Sequence, residues 1–321
     1  MNIVKQHTFG NADVLKIEQQ PIPTIKEGEV LIKGAFTSIN FADIKIRNGA
    51  KNGGNFPLTL GLDIAGTVEE SKSSHFQKGD RFIAFSHNGT YAQYVVADEI
   101  LTYKIPDHLN FEQAAAMPTV SFLASILMER IAKVSVDDIV VIHSAAGGVG
   151  SMLVQLCKQK NCRKIIATVG SLTKADYVKS LGAHIVCTYD KFVETTLQET
   201  NGGANVIFDS VAGNVTADSL KCLAYFGTLV QFGNSSGQKG TFSTADVHNS
   251  CRSVKGFSLG TTRKMKPALI RPYAEQMIAL FANKDLTLNI DAIFELENVV
   301  EAHHYFERRS HNGKILLKLN A

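Results

Sequence analysis

The chain has 321 residues, 45% of them hydrophobic and 20% charged, and a formal net charge of +3. That length exceeds one ordinary domain and suits two, each able to bury its own core. So small a charge, with no long basic run, gives a nucleic-acid partner no electrostatic footprint.

The opening stretch, MNIVKQHTFGNADVLKIEQQ, lacks the cationic start and apolar run of a secretory leader. No window approaches the roughly 18 uninterrupted apolar residues of a membrane span, so a cytoplasmic location and no membrane partner are expected. Five cysteines, Cys157, Cys162, Cys187, Cys222 and Cys251, show no CxxC spacing, which predicts small core residues rather than a disulfide framework or zinc knuckle.

From Met1 to about Asn110 the chain reads as short strands (VLIKGAF, IAGTVEE, RFIAFS, YAQYVVA) broken by Gly, Pro and Asn. From about Phe111 helix and strand patterns alternate, and IVVIHS, KIIATV, NVIFDSV and TLVQFG are apolar on both faces, as strands of a covered parallel sheet must be. The fold class is therefore α/β: a β-rich domain from Met1 to about Asn110, then a doubly wound parallel-sheet domain, with a tail from about Gly256 of mixed character. KILLKLN near the C-terminus is a strand that can complete the first domain's sheet.

Between the IVVIHS strand and the SMLVQLCKQK helix lies AAGGVG, the context that a dinucleotide-binding fingerprint requires. Its Gly147 lets the backbone approach a pyrophosphate, and Gly150 lets helix and strand pack closely. Ala146, Gly147, Gly148, Val149 and Gly150 are the candidate phosphate contacts. An NAD site places Asp or Glu about 20 residues further on to hold the ribose 2′-hydroxyl. Here Gly170 is followed by Ser171 and Lys174, with no acid before Asp176. A hydroxyl and an ammonium suit a 2′-phosphate that a carboxylate would repel, so NADPH is expected, although Lys174 is also an ordinary surface lysine by type.

The order of a β-rich then a Rossmann domain, with INFADIKIRNG, LGLDIAGTVEE, KGDRFIAF, GTYAQYVVA, AAGGVG, VGSLTKA and FGNSSG, resembles the zinc-independent quinone oxidoreductases of the medium-chain dehydrogenase/reductase superfamily. The resemblance covers essentially the whole chain. It implies a GroES-like catalytic domain over residues 1–115 and 256–321, a Rossmann NADP-binding domain over 116–255, NADPH in a cleft between the domains, and hydride transfer to a quinone or conjugated carbonyl. It also leaves open an enone or enoyl-thioester double-bond reductase, and a crystallin-like nucleotide binder with little catalysis.

In the zinc-dependent relatives a Cys stands where this chain has Asn40, and a His-Glu pair where it has Leu62-Asp63. A catalytic zinc needs three Cys, His or carboxylate ligands, so no metal is expected. Nor does any Cys precede Cys157, as the structural zinc lobe would demand. His303 and His304 are adjacent on a helix and point about 100° apart, so no metal is assigned there either.

The resemblance places the NxxD segment beside the nicotinamide. Asn40 would then hydrogen-bond an acceptor oxygen, and Asp43 would anchor the loop or a ribose hydroxyl, although both residues equally suit a local cap. Lys45 stands where many relatives have Tyr, and its ammonium could stabilise a developing oxyanion. Ser121 occupies a position where relatives often carry a nicotinamide-ribose threonine. For the cofactor, the resemblance implies Tyr189 near the 2′-phosphate or adenine, Ser210 and Val211 at the ribose, and Phe232, Gly233 and Asn234 at the nicotinamide. Arg309, with Arg308 as an equally basic neighbour, would reach the 2′-phosphate. RSVKGFSLG, Arg252 to Gly260, would form a sheet edge that pairs across a twofold axis, giving a homodimer. The alternative is an edge guarded by Arg252 and Lys255 alone, and a Phe257→Pro change is expected to delete an edge donor.

Overall fold

The computed structural model describes residues 1–51, 54–86 and 88–320. The chain divides into two compact units, Met1–Phe122 with Thr262–Ala321, and Leu123–Thr261. Both hand-overs come slightly later than residues 115 and 256 because they fall within helical stretches, Pro118–Ser125 and Leu259–Met265, where composition does not change.

The first unit opens with an antiparallel pair, β1 (Asn2–Lys5) and β2 (Lys16–Gln19). Its main sheet begins with β3 (Glu29–Ser38), β4 (Asp63–Ser71), β5 (Arg81–Phe85), β6 (Tyr94–Asp98) and β7 (Thr102–Lys104). β4 and β6 both pair antiparallel with β3, and β5 links β4 to β7. Between β3 and β4 the sequence FADIKIR forms a helix, Phe41–Arg47, which places Asn40 at its N-terminal cap.

The second unit holds β8 (Ile139–Ile142), β9 (Lys164–Val169), β10 (Ile185–Thr188), β11 (Ala204–Asp209), β12 (Leu223–Gln231) and β13 (Ser253–Gly256). All pairs are parallel, in the order β10-β9-β8-β11-β12-β13. β9 and β11 are buried along almost their whole length, as two-sided helix cover demands. The order reverses between β8 and β11, and such a switch point opens a crevice at the carboxyl ends of the strands. The helix Gly148–Gln159 leaves β8 directly through the glycine turn.

β13 is one of the sheet's two edge strands, β10 being the other. The Phe257 N–H donates inward to Gln231 O at 3.0 Å, so a proline there would break pairing with β12 rather than an edge contact. By two-residue alternation, Val254 and Gly256 carry the outward backbone groups. Arg252 bonds the carbonyls of Leu223 and Ala224, and Lys255 bonds Ile131 O, so neither cation is spent guarding that edge.

The chain then returns to the first unit with β14 (Ile290–Glu295) and β15 (Lys314–Lys318). β15 is the KILLK strand. It pairs antiparallel with β3 and parallel with β14, completing the sheet. Cys157, Cys162, Cys187 and Cys222 are buried, but Cys251 is exposed. Its φ of 53° in the turn before β13 turns it away from any core, contrary to the reading of all five as core residues. Among the described residues no helix is long and apolar enough to cross a membrane.

Candidate active site

The glycine turn is held from both sides. Ser144, at φ 54°, donates its N–H to Tyr189 Oη at 2.8 Å, and Ala145 N bonds Thr168 O at 3.0 Å. A Cβ on Gly150 would meet Ser144 O at 2.3 Å and Ala145 Cα at 2.7 Å, so only glycine permits this approach of helix to turn. Gly147 caps the helix with no side-chain hydrogen bond, leaving its first-turn amides without a side-chain acceptor. Gly147 is exposed and Gly148 and Val149 are half-exposed, whereas Ala146 and Gly150 are buried. An uncapped helix N-terminus of this kind fits a pyrophosphate.

The expected neighbours of the turn come from the ends of adjacent strands. Gly170 and Ser171 follow β9, and Ser171 caps a short helical turn that ends at Lys174. Ser171 is exposed and Lys174 half-exposed, and no carboxylate lies between them. Tyr189 follows β10. Its hydroxyl serves Ser144 and its ring stacks on buried His143 at 5.7 Å, so it supports the turn itself.

Ser210 and Val211 follow β11, where buried Asp209 accepts from the amides of Val211 and Ala212 and from Thr216 Oγ1. Phe232, Gly233 and Asn234 follow β12, and Phe232 N bonds Asp209 O at 3.0 Å. A Cβ on Gly233 would lie 2.8 Å from Ser210 O, so the two loops approach as closely as backbone allows. The structure thus brings the turn, Ser210, Val211 and the FGN segment to the carboxyl side of one switch point.

In the first unit, Asn40, Asp43 and Lys45 share one helix, and Asn40 and Asp43 open onto a buried polar cluster that sequence reasoning missed. Asp43 is fully buried and accepts from Asn40 N (2.8 Å), Gly61 N (3.1 Å) and Tyr91 Oη (3.3 Å). It therefore anchors both its own helix start and the LGLD loop. Burial pushes its carboxyl up to about 7, with Asp63 adding to the rise while the Asn40 and Gly61 amides and Lys314 oppose it.

Asn40 Oδ1 accepts from Lys314 Nζ at 2.8 Å, and its Nδ2 makes longer contacts to Ser38 Oγ (3.1 Å), Ser38 O (3.3 Å) and Asp63 Oδ1 (3.3 Å). Lys314 is 4% exposed, and burial lowers its ammonium against the pull of Asp63 and Asp43. Lys45 is half-exposed, its Nζ 6.0 Å from the centre of the Phe41 ring. Arg309, at φ 55°, lies 5.8 Å from the same ring. It belongs to the first unit, whereas Ser171 and Lys174 belong to the second. Ser121 is fully buried and its Oγ has no hydrogen-bond partner.

Behind Asp43 runs a chain of donors whose direction is fixed. Arg47 Nη1 lies 2.9 Å from His303 Nδ1, and an arginine can only donate, so Nδ1 accepts and the ring proton sits on Nε2. That proton points to Tyr91 Oη at 3.2 Å, and Tyr91 in turn donates to Asp43. Burial, with Arg47 and His304 beside it, holds His303 down to about 3, so the ring is neutral. Because the arginine does not release a proton, this chain holds Asp43 in place rather than supplying protons.

A zinc ion does not fit the positions where dehydrogenase relatives bind one. Asn40 offers an amide already bonded to an ammonium, Leu62 offers no donor, and Asp63 is occupied by Ser38 Oγ (2.6 Å), Asn40 Nδ2 and Thr119 N (3.0 Å). His303 is tied to Arg47 and Tyr91, while His304 faces Asp13 at 3.3 Å.

Residues 26–107 match the alcohol dehydrogenase GroES-like domain, and 148–275 match the zinc-binding dehydrogenase family. A two-domain GroES-like and Rossmann architecture of this kind defines the medium-chain dehydrogenases and reductases. The quinone oxidoreductase of Salmonella typhimurium is 30% identical over 98% of this chain and 98% of its own length. The probable quinone oxidoreductase of Schizosaccharomyces pombe is 29% identical over 99% of this chain and 97% of its own. The crystal structure of Escherichia coli quinone oxidoreductase complexed with NADPH superposes with a TM-score of 0.92 at 27% identity, covering 99% of this chain and 100% of that one. The chain belongs to the quinone oxidoreductase family of this superfamily, a family of oxidoreductases.

Proposed function

We propose that this chain is an NADPH-dependent reductase of quinones or related conjugated carbonyls that works without zinc and as a homodimer. The observation that carries the cofactor choice is the end of β9, where Ser171 and Lys174 stand in place of a carboxylate. NADPH, when bound, supplies the hydride. The amides of Gly148, Val149 and Gly150 hold its pyrophosphate, Ser171 and Lys174 hold its 2′-phosphate, and Ser210, Val211 and Phe232–Asn234 border its ribose and nicotinamide. Asn40 positions an acceptor oxygen through Nδ2, whose present contacts of 3.1–3.3 Å are long enough to be exchanged. Lys314 on the opposite atom of that amide polarises it as a donor. Lys45 supplies positive charge toward the developing oxyanion.

A quinone or enone delocalises incoming electrons itself, so the Lewis acid that alcohol oxidation uses is dispensable here. The ligand positions filled by Asn40 and Leu62 support that reading. The outward backbone of Val254 and Gly256, with Arg252 and Lys255 bonded inward, supports pairing of two β13 edges. The function is tested by following NADPH consumption with a panel of quinones, enones and enoyl thioesters. Turnover of quinones or enones is expected. Tight NADPH binding without turnover of any of them would replace the enzyme with a nucleotide-binding protein.

A further inference from the structure

The helix Gly148–Gln159 ends in a closed turn that sets two cysteines against each other. Asn161 takes the left-handed conformation at φ 57°. Its N–H bonds Lys158 O at 2.9 Å, and the N–H of Cys162 bonds Cys157 O at 3.0 Å. With Lys160 as the cap, these are the two hydrogen bonds of a Schellman motif. That motif brings the side chain of the second residue beyond the cap onto the residue three before it, a contact usually made by two apolar groups. Here the two positions are Cys162 and Cys157, so the turn sets their side chains against each other.

Both residues are buried, Cys157 fully and Cys162 to 5% exposure, and the Cys162 thiol donates to Ser135 O at 3.6 Å. Cys157 is fully enclosed, whereas Cys162 keeps some exposure, so the nucleophile of the pair is Cys162.

We propose that Cys157 and Cys162 form a dithiol modification site that hydrogen peroxide converts to an intramolecular disulfide. The thiolate sulfur of Cys162 attacks one peroxide oxygen; the O–O bond breaks, hydroxide leaves and takes up a proton as water, and Cys162 becomes a sulfenic acid. The Cys157 sulfur then attacks that sulfur, the S–O bond breaks, and the departing hydroxide leaves as water with the thiol's proton. Two thiols are oxidised and one peroxide is reduced to two waters. A dithiol reductant reverses the product by exchange. The other cysteines stand away from this turn: Cys251 is exposed, Cys187 lies on β10, and Cys222 immediately precedes β12.

The test uses the full chain, treated with hydrogen peroxide, blocked with an alkylating agent and digested with trypsin without reduction. Lysines at 158 and 160 lie between the two cysteines, so the expected product is Val134–Lys158 linked to Asn161–Arg163, with Gln159–Lys160 released. Cys157→Ser and Cys162→Ser should each abolish the linked product, and Cys251→Ser should leave it. Asn161→Gly, which keeps the left-handed turn, should link as the parent does, whereas Asn161→Val should link more slowly. Recovery of both peptides unlinked, with Cys162 over-oxidised or unreacted, would overturn the proposal. So would equal linking in Asn161→Val, since the turn would then not be what joins the thiols.

Discussion

Lys314 donates its ammonium to Asn40 Oδ1 at 2.8 Å, joining residues 274 positions apart in the sequence. The lysine also bonds Ile39 O at 3.2 Å, so it ties β15 to the start of the Phe41–Arg47 helix. Removing it as Lys314→Met should take from the buried Asp63 and Asp43 one of their cations, the other being Arg263, and destabilise the fold by about 3 kcal/mol. Urea unfolding measures that loss. In steady-state kinetics kcat should fall with little change in the KM for NADPH, because Asn40 is misplaced while the glycine turn is untouched. An unchanged kcat would show that Asn40 does not depend on Lys314.

The Asp43 carboxyl, pushed up to about 7 chiefly by burial, makes stability fall with rising pH. The native state keeps a proton that the unfolded chain has already released, so the contribution is complete below the ordinary carboxylate value and is lost as pH rises through about 7. Tyr91, Asp63 and Lys314 face this group, and Asp63 and Lys314 act on it in opposite directions. Asp43→Asn should flatten the change in urea midpoint between about pH 5 and about pH 8, beyond any uniform loss of stability. An unaltered pH dependence in the variant would assign it to other groups.

The Gly150 site is the most demanding point of the nucleotide turn. In Gly150→Ala the new methyl meets backbone atoms at 2.3 and 2.7 Å, and neither can rotate away. The expected result is a loss of roughly 1–3 kcal/mol in stability. NADPH binding, measured by fluorescence titration, should weaken by at least about tenfold as the first-turn amides shift. Native-like affinity would remove the turn from the binding site.

This part of the molecule was legible from sequence because a buried strand, a glycine turn and a helix are contiguous, and local spacing reports their geometry. Most strands of the two larger sheets were legible for the same reason, but β7 and β14 were not, because three residues and a run interrupted by Asp291 show no clear alternation. The cluster around Asp43 was not. Lys314, Asp63, Tyr91 and His303 come from separate elements, and their types alone suggest surface or core as readily as a network. The one local signal was the cap: Asn40 and Asp43 were readable as a turn cap, and the Asn40 N–H to Asp43 Oδ2 bond of 2.8 Å is such a contact. Cys251 went unread because a positive φ at a non-glycine residue leaves no mark in the sequence.

The β13 edge gives a prediction about assembly. Val254→Pro removes an outward N–H and should shift a homodimer toward monomer, read by light scattering during chromatography. Phe257→Pro removes an inward bond to Gln231 and should instead lower the stability of the chain itself. A parent protein that elutes at the 34.9 kDa mass of one chain would contradict edge pairing.

Lys174→Ala should weaken NADPH by roughly 1–3 kcal/mol while leaving NADH nearly unchanged, if its ammonium holds a 2′-phosphate. Equilibrium titration of both cofactors against parent and variant measures this. Equal loss for both would remove Lys174 from the phosphate site.

The central claim is reduction of a quinone by NADPH without metal, and it is tested most directly by kcat/KM for NADPH and for NADH with one quinone after exhaustive chelation. The account predicts sustained turnover, with NADPH preferred by at least about tenfold, equivalent to roughly 1.4 kcal/mol. Activity that appears only when zinc is restored, or equal use of the two cofactors, would contradict it.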